Sequence, residues 1–268
     1  MQPSDQTALV TGASSGIGAA IATRIAEEGI NLILTARRAD RLEQLASQLK
    51  NDLGVTVHCL AADLADPAAP QALMLEIEQQ GLQVDWLVNN AGYGVGGSYV
   101  KSDWDTHRDF MQVMLGAVAE LTWRVLPAMK ERGFGRIVNI ASLAALVPAS
   151  AGHTQYAAVK AWMVKFSESL SLEMAPRGVT VTAVCPGFTY SEFHDVLGIR
   201  EQISQMPNYM WMTSEEVADQ AVKAAIRGDR VYINGRVNRI IAGMSRHLPK
   251  GLMDFLVQRR AKSYRRDD

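Results

Sequence analysis

The stretch Thr7-Ala8-Leu9-Val10-Thr11-Gly12-Ala13-Ser14-Ser15-Gly16-Ile17-Gly18 decides the fold. Its first five residues are a short apolar run of strand type, and they pass straight into glycines spaced G-x-x-x-G-x-G. A helical pattern follows, with Ile17, Ala20, Ile21, Ile25 and Ala26 on one side, up to Gly29. Strand, glycine loop and helix form the context in which such a motif takes a dinucleotide. Gly12 permits a tight turn, Gly16 lets the backbone approach a pyrophosphate, and Gly18 lets the helix pack closely on the strand. Ser14, Ser15 and Ile17 complete the loop, and the helix N-terminus favours phosphate charge. The competing reading is a glycine-rich turn without a ligand, and the flanking strand and helix weigh against it.

Outward from this unit, strand-like and helical runs alternate. Further strands are expected at Asn31 to Thr35, Val55 to Leu60, Val84 to Val88, Arg136 to Ile140, Val179 to Val184 and Val231 to Ile233. Helices are expected up to about Lys50, from around Pro67, from Trp104 to about Glu131, and from Gln155 to Met174. This rhythm predicts an α/β fold: one doubly wound parallel sheet, a Rossmann arrangement, with helices on both faces. The domain is expected over residues 1–235, including a substrate loop at 188–213, with a basic amphipathic extension over 236–268.

Several strand ends carry suggestive chemistry. Asn31 to Thr35 runs into Ala36-Arg37-Arg38, where a fold binding NAD usually has an acid for the ribose hydroxyl. Arginine there suits a 2′-phosphate, or else Arg37 and Arg38 open a solvated basic helix. Asp63, followed by Leu64, can accept a hydrogen bond from an adenine amino group or cap the next helix. Asn89-Asn90-Ala91-Gly92 ends the fourth strand, at the edge where open α/β sheets bind ligands, although an Asn-rich turn reads the same way.

Size and composition fit one large domain: 268 residues, 48% hydrophobic. A net charge of −1 leaves no overall nucleic-acid footprint. Cys59 and Cys185 lie in apolar runs and read as packed thiols, and no metal-ligand spacing occurs. Met1 to Gln6 has no signal-peptide character, and no stretch approaches bilayer length, so a reducing cytoplasm is expected.

Tyr156-Ala157-Ala158-Val159-Lys160 supplies the acid–base chemistry. On a helix, Tyr156 and Lys160 stand one turn apart on one face. A free phenol has a pKa of about 10, and a neighbouring cation stabilises its ionised form. In isolation such a pair is more commonly a half-buried tyrosine beside a surface lysine, and the upstream motifs reverse that balance.

Taken together, these motifs resemble the short-chain dehydrogenase/reductase family. The matching elements are Thr11-Gly12-x-x-x-Gly16-x-Gly18, Asn89-Asn90-Ala91-Gly92, Ser142, Tyr156-x-x-x-Lys160 and Pro186-Gly187, over about Thr7 to Ile233. The resemblance implies a nicotinamide-dependent oxidoreductase acting on a carbonyl or secondary alcohol; Ala36-Arg37-Arg38 points to NADP(H), NAD(H) being less suited, and the residues of 188–213 to an apolar substrate. It implies that Tyr156 gives or takes the substrate proton, that Lys160 lowers the Tyr156 pKa and holds the nicotinamide ribose, and that Ser142 polarises the carbonyl. Asn90, Ala91 and Gly92 are then the cofactor floor, and Pro186, Gly187, Thr189 and Ser191 line the nicotinamide side. Met114 stands where the family usually has an Asn that holds a proton-refilling water, and a thioether cannot replace that amide. The alternative is a cofactor-binding regulatory or scaffold protein with weak or lost turnover.

Two regions remain. Phe188, Phe193, Val196, Leu197, Met206, Tyr209, Met210, Trp211 and Met212 give an apolar segment that covers the substrate or packs as core under a loop, with Tyr93 and Val95 facing the same space. No charged group is obviously placed to clamp an anionic substrate, although His153 and His194 lie close to this segment in sequence. From Arg230 to Asp268 there are ten Lys/Arg against three Asp/Glu, so this stretch carries +7 and the rest −8. The commoner arrangement of such a segment is a helix packed on its own domain or a partner subunit; the other is contact with an anionic membrane surface. The resemblance also implies a homodimer or homotetramer paired through Trp104–Glu131 and Gln155–Met174.

Overall fold

The computed structural model describes residues 2–149, 151–152, 154–191, 207–248 and 251. Seven parallel strands form one sheet: β1 (Thr7–Thr11), β2 (Asn31–Thr35), β3 (Val57–Cys59), β4 (Trp86–Asn89), β5 (Gly135–Ile140), β6 (Val179–Cys185) and, after a smaller two-stranded sheet, β9 (Val231–Ile233). Their order is β3-β2-β1-β4-β5-β6-β9. The smaller sheet pairs β7 (Phe188–Thr189) with β8 (Trp211–Met212), also in parallel. The helices are α1 (Gly16–Glu27), α2 (Ala39–Leu53), α3 (Ala69–Gln79), α4 (Trp104–Met111), α5 (Ala117–Arg132), α6 (Thr154–Met174), α7 (Ser214–Arg227) and α8 (Arg236–His247).

A parallel sheet covered on both faces needs strands that are apolar throughout. Ala8-Leu9-Val10, Leu32-Ile33-Leu34 and Trp86-Leu87-Val88 meet that requirement, and all nine residues are buried. The period of two then sorts them. Ala8, Val10, Leu32, Leu34, Trp86 and Val88 share a core with residues of α1, α2 and α7. Leu9, Ile33 and Leu87 share the other with residues of α3 to α6. Each such aliphatic side chain contributes about 1.5–3 kcal/mol by leaving water.

The sheet centre also holds a buried polar chain. Asn89 Nδ2 donates to Asn139 Oδ1 (2.8 Å) and to Thr122 Oγ1 (3.2 Å), and Asn139 Nδ2 donates to Ser167 Oγ (2.8 Å). It ties β4 and β5 to α5 and α6.

The main sheet follows the expected runs, with local differences. β3 is an edge strand paired only with β2, so its regular part shrinks to three residues. The long helix from Trp104 is interrupted: Gln112–Gly116 widens into a π-helical turn between α4 and α5. Helix α7 and the small sheet were not anticipated. A capping box starts α7, with Thr213 Oγ1 accepting from the Glu216 N–H and Glu216 accepting from the Thr213 N–H. Cys59 and Cys185 are free thiols, as read from their apolar runs. His153, Phe193, His194, Val196, Leu197, Met206 and the apolar residues from Leu252 onward lie outside the described residues.

Candidate active site

β1 continues to β2 and β3 on one side, and β4, β5 and β6 extend on the other. The carboxyl ends of β1 and β4 therefore bound the crevice where doubly wound sheets bind ligands. At Gly12, φ is +66°, and an added Cβ would lie 2.8 Å from the Ala91 Cα. An added Cβ on Gly18 would collide with Asn90 Nδ2 and the Gly12 carbonyl. The loop is thus closed down to backbone, which leaves the start of α1 open to an anion.

Asn90 serves this loop. Its Nδ2 donates to the Thr11 and Gly12 carbonyls at 3.0 and 3.2 Å. Thr11, which sequence reasoning gave no task beyond the motif, accepts the Asn90 and Ala91 N–H groups at Oγ1 (2.9 and 3.0 Å). The Asn90 amide therefore braces the glycine turn, and the floor beyond it is Ala91 and Gly92.

Arg38 joins the same loop from β2. Its Nη2 lies 3.0 Å from Ser14 Oγ and 2.9 Å from Ser15 Oγ. These hydroxyls aim a guanidinium across the glycine loop, while Arg37 is exposed. Asp63 Oδ1 accepts the Ala65 N–H (3.1 Å) in a local turn and does not cap α3. The Leu64 side chain is buried in the core, so only its backbone can face a cofactor. Burial, and then Asp109, push the Tyr93 phenol up, with Arg37 opposing, so it feels the Arg37 end of the crevice.

Ser142, Tyr156 and Lys160 meet beyond β5. Ser142 Oγ accepts the Ala144 N–H (3.1 Å) and hydrogen-bonds the Tyr156 phenol. Its turn is fastened to β6, since the Leu143 N–H donates to the Pro186 carbonyl (2.8 Å). Lys160 Nζ donates to the Ile140 carbonyl (2.6 Å) and lies 5.7 Å from the Tyr156 ring centroid. Tyr156 keeps some solvent exposure as a residue, yet the enclosure around its phenol pushes it up to about 12. Burial pushes Lys160 down to about 8. The expected lowering of Tyr156 by Lys160 is therefore absent here: desolvation prevails, and the ammonium is turned to a backbone carbonyl. Buried Cys185, another residue not foreseen here, lies close enough to Lys160 to interact electrostatically and hydrogen-bonds the Ser142 backbone.

The remaining motif residues close the far side. Ser191 faces Gly16, where an added Cβ would lie 3.1 Å from the Ser191 Cβ. Thr189 is buried and donates to the Gly187 carbonyl (3.2 Å). Met114 sits in the π-helical turn, fully buried, with Sδ 2.6 Å from a Cβ placed on Gly92. It packs under the floor and offers no amide. A cavity of about 640 Å³ runs from Ser15, Gly16 and Ser191 along the groove between α1 and α7, past Thr23, Arg24 and Asp219, and does not reach Tyr156.

The glycine cradle, the aimed Arg38 and the Ser142–Tyr156–Lys160 cluster fit a nicotinamide dinucleotide and a carbonyl. The short chain dehydrogenase family model matches residues 6–201, and the chain belongs to that family. It is 33% identical over 240 residues to the 3-oxoacyl-[acyl-carrier-protein] reductase FabG of Escherichia coli (strain K12), covering 88% of this chain and 96% of that one. A short-chain dehydrogenase from Sphingobium yanoikuyae in complex with NADPH superposes with a TM-score of 0.79 at 33% identity, over 93% of this chain and 95% of that one. A bulky-bulky ketone specific alcohol dehydrogenase from Comamonas testosteroni superposes with a TM-score of 0.76 at 31% identity, over 93% and 94%. The chain is an NAD(P)-dependent oxidoreductase of the CH–OH/C=O class.

Proposed function

We propose that this chain reduces an apolar ketone or aldehyde to its alcohol with NADPH. The observation that carries the reading is the enclosed Ser142–Tyr156 hydrogen bond beside Lys160, across the crevice from the glycine loop and Arg38. When bound, NADPH supplies the hydride. Ser142 hydrogen-bonds the carbonyl oxygen and aligns it on the Tyr156 phenol. Tyr156 donates the proton that the oxygen needs as its charge develops. The Tyr156 phenol, pushed up to about 12, is protonated at neutral pH, as a proton donor must be. Arg38 takes the 2′-phosphate, Gly12, Gly16 and Gly18 admit the pyrophosphate, and Gly92, Gly187, Thr189 and Ser191 border the nicotinamide. Lys160 positions the nicotinamide ribose.

Support for an apolar substrate comes from the Phe188–Trp211–Tyr190 stack at the foot of the substrate segment, with ring centroids 5.5 and 4.6 Å apart, and from the ketone specificity of the Comamonas relative. The exposed Trp123 and Leu172 on α5 and α6 support pairing of two copies through these helices, which light scattering reads as a dimer or tetramer mass. The deciding experiment is NADPH oxidation against a panel of carbonyl compounds, with Tyr156→Phe as control. That variant should lose at least the roughly 10²-fold typical of a general acid while binding NADPH as before. Near-normal turnover in Tyr156→Phe removes Tyr156 from the chemistry. NADPH binding with no turnover on any carbonyl favours the regulatory reading, for which Met114 in place of the usual amide is the one specific sign.

A further inference from the structure

Helix α8 has two unlike faces. Inward, Asn238 and Ala242 are buried one turn apart. Asn238 Nδ2 donates to the Asn234 carbonyl (2.7 Å), and its side-chain amide packs on Gly187, where an added Cβ would lie 2.5 Å from it. The preceding Gly235 N–H donates to Gln220 Oε1 (3.1 Å). The helix is therefore fastened to the body of the fold along one side. Outward, Ile240 is 63% exposed and Met244, one turn on, 46%. Arg236, Arg239, Arg246 and His247 are exposed on the same side. Among the described residues, no carboxylate forms an ion pair with these arginines, whereas Arg227 pairs with Asp229 at 2.6 Å just upstream. Tyr209, on the short turn packed beside α8, is 68% exposed.

We propose that this outer face of α8 docks on an anionic lipid surface, with Ile240 and Met244 entering the headgroup boundary and the arginines meeting lipid phosphates. Charge selects this occupant. From Val231 to Met253 the chain has no Asp or Glu. A second copy paired across a two-fold axis would set Arg236, Arg239 and Arg246 against their own images. The chain's own remaining tail carries Arg259, Arg260, Lys262, Arg265 and Arg266 against Asp254, Asp267 and Asp268, a net of +2, so its charge does not complement this face. An exposed apolar strip beside arginines that have no carboxylate partner among the described residues, Arg239 lying over the Tyr232 ring at 5.9 Å, with an amphipathic aromatic next to it, is what an anionic interface accepts. The contact is peripheral: among the described residues no helix is long and apolar enough to cross a membrane. Because α8 touches Gly187 on its inner side, the bilayer would lie roughly one helix diameter, about 10 Å, from the nicotinamide side of the crevice. Entry of an apolar substrate from the bilayer into that crevice rests on the proposed function; the docking does not.

The test uses full-length protein and sedimentation with vesicles of phosphatidylcholine alone or mixed with phosphatidylglycerol. At low salt the protein should sediment with the mixed vesicles and stay free of the neutral ones. Each basic residue near an anionic surface strengthens binding about fivefold, so Arg236→Gln/Arg239→Gln/Arg246→Gln should weaken it roughly a hundredfold. Ile240→Ser/Met244→Ser should weaken it several-fold while leaving NADPH affinity and the light-scattering mass unchanged. Failure of the wild type to bind, equal binding by either variant, or a drop in mass when Ile240 and Met244 are replaced would each overturn the proposal, the last by showing that the face joins two copies. None of these readouts depends on turnover.

Discussion

Replacing Arg38 by alanine separates two tasks that the guanidinium could perform. In the structure it spans Ser14 Oγ and Ser15 Oγ, with Nη2 3.0 and 2.9 Å from them and Nε 3.3 Å from Ser14 Oγ. The serines are neutral, so they aim the cation without cancelling its charge. A 2′-phosphate placed there gains a charge-assisted contact of about 1.5–3 kcal/mol, or roughly ten- to a hundredfold in affinity. NADH lacks that phosphate and should change by no more than the roughly 0.5 kcal/mol of one weak neutral bond. Fluorescence titration of wild type and Arg38→Ala with NADPH, NADH and 2′,5′-ADP reads both numbers. Ser14→Ala should fall between, because the guanidinium loses one anchor and keeps its charge. If Arg38→Ala weakens NADPH and NADH equally, the arginine merely braces the glycine loop, and the phosphate assignment is refuted.

Two further outcomes follow from the packing. Gly92→Ala sets a Cβ 2.6 Å from Met114 Sδ and should cost about 1–3 kcal/mol by overpacking. Met114→Ala alone should cost about 2–5 kcal/mol, and the double variant in urea unfolding should cost clearly less than the two together; strict additivity would show that the thioether does not meet position 92. Lys160 gives a pH signature. Its folded value of about 8 lies below the ordinary 10.5, so between these values the unfolded chain binds more protons and stability rises with pH, by as much as about 1.4 kcal/mol per unit. Cys185, pushed from 9.0 up to about 12, works in the opposite sense above pH 9, so the comparison is best made between pH 8 and 9. Over that window Lys160→Met should flatten the slope; an unchanged slope would mean that another group sets it.

What could be read in the sequence was what short-range pattern specifies. The all-apolar runs Leu32-Ile33-Leu34 and Trp86-Leu87-Val88 gave the strands, and the glycine spacing after Thr11 gave the crevice. Pairings across long separations were hidden. Arg38 and Ser14 are 24 residues apart, and nothing local tells a phosphate-aiming guanidinium from a solvated helix start. The Lys160 ammonium was expected at the phenol, yet the Ile140 carbonyl, 20 residues away, takes it. Helix α7 was missed although Thr213-x-x-Glu216 signals its start. Its buried face, Val217, Ala218, Ala221, Val222 and Ala225, keeps a helical period, so both its start and its rhythm were legible. The π-helical turn at Gln112–Gly116 has no local signature, since Val113 and Met114 would serve an ordinary helix equally well.

The two-residue pairing of β7 with β8 has a consequence for how this fold can diversify. Phe188 pairs with Trp211 and Thr189 with Met212, the Tyr190 N–H donates to the Met212 carbonyl (3.0 Å), and Ser214 Oγ donates to the Tyr190 carbonyl (3.0 Å). The chain therefore leaves the catalytic body and returns to it at one stapled point, with Tyr190 stacked on Trp211 as the rivet. Joining ends that are already held together costs only about 0.6 kcal/mol more for each doubling of the intervening length. Residues between Ser191 and Pro207 can thus be exchanged, shortened or extended while the staple keeps Thr189 and Ser191 in register with the glycine loop. On the proposed reading of this segment as the substrate cover, substrate choice becomes a cassette, replaceable without retuning the hydride machinery beneath it.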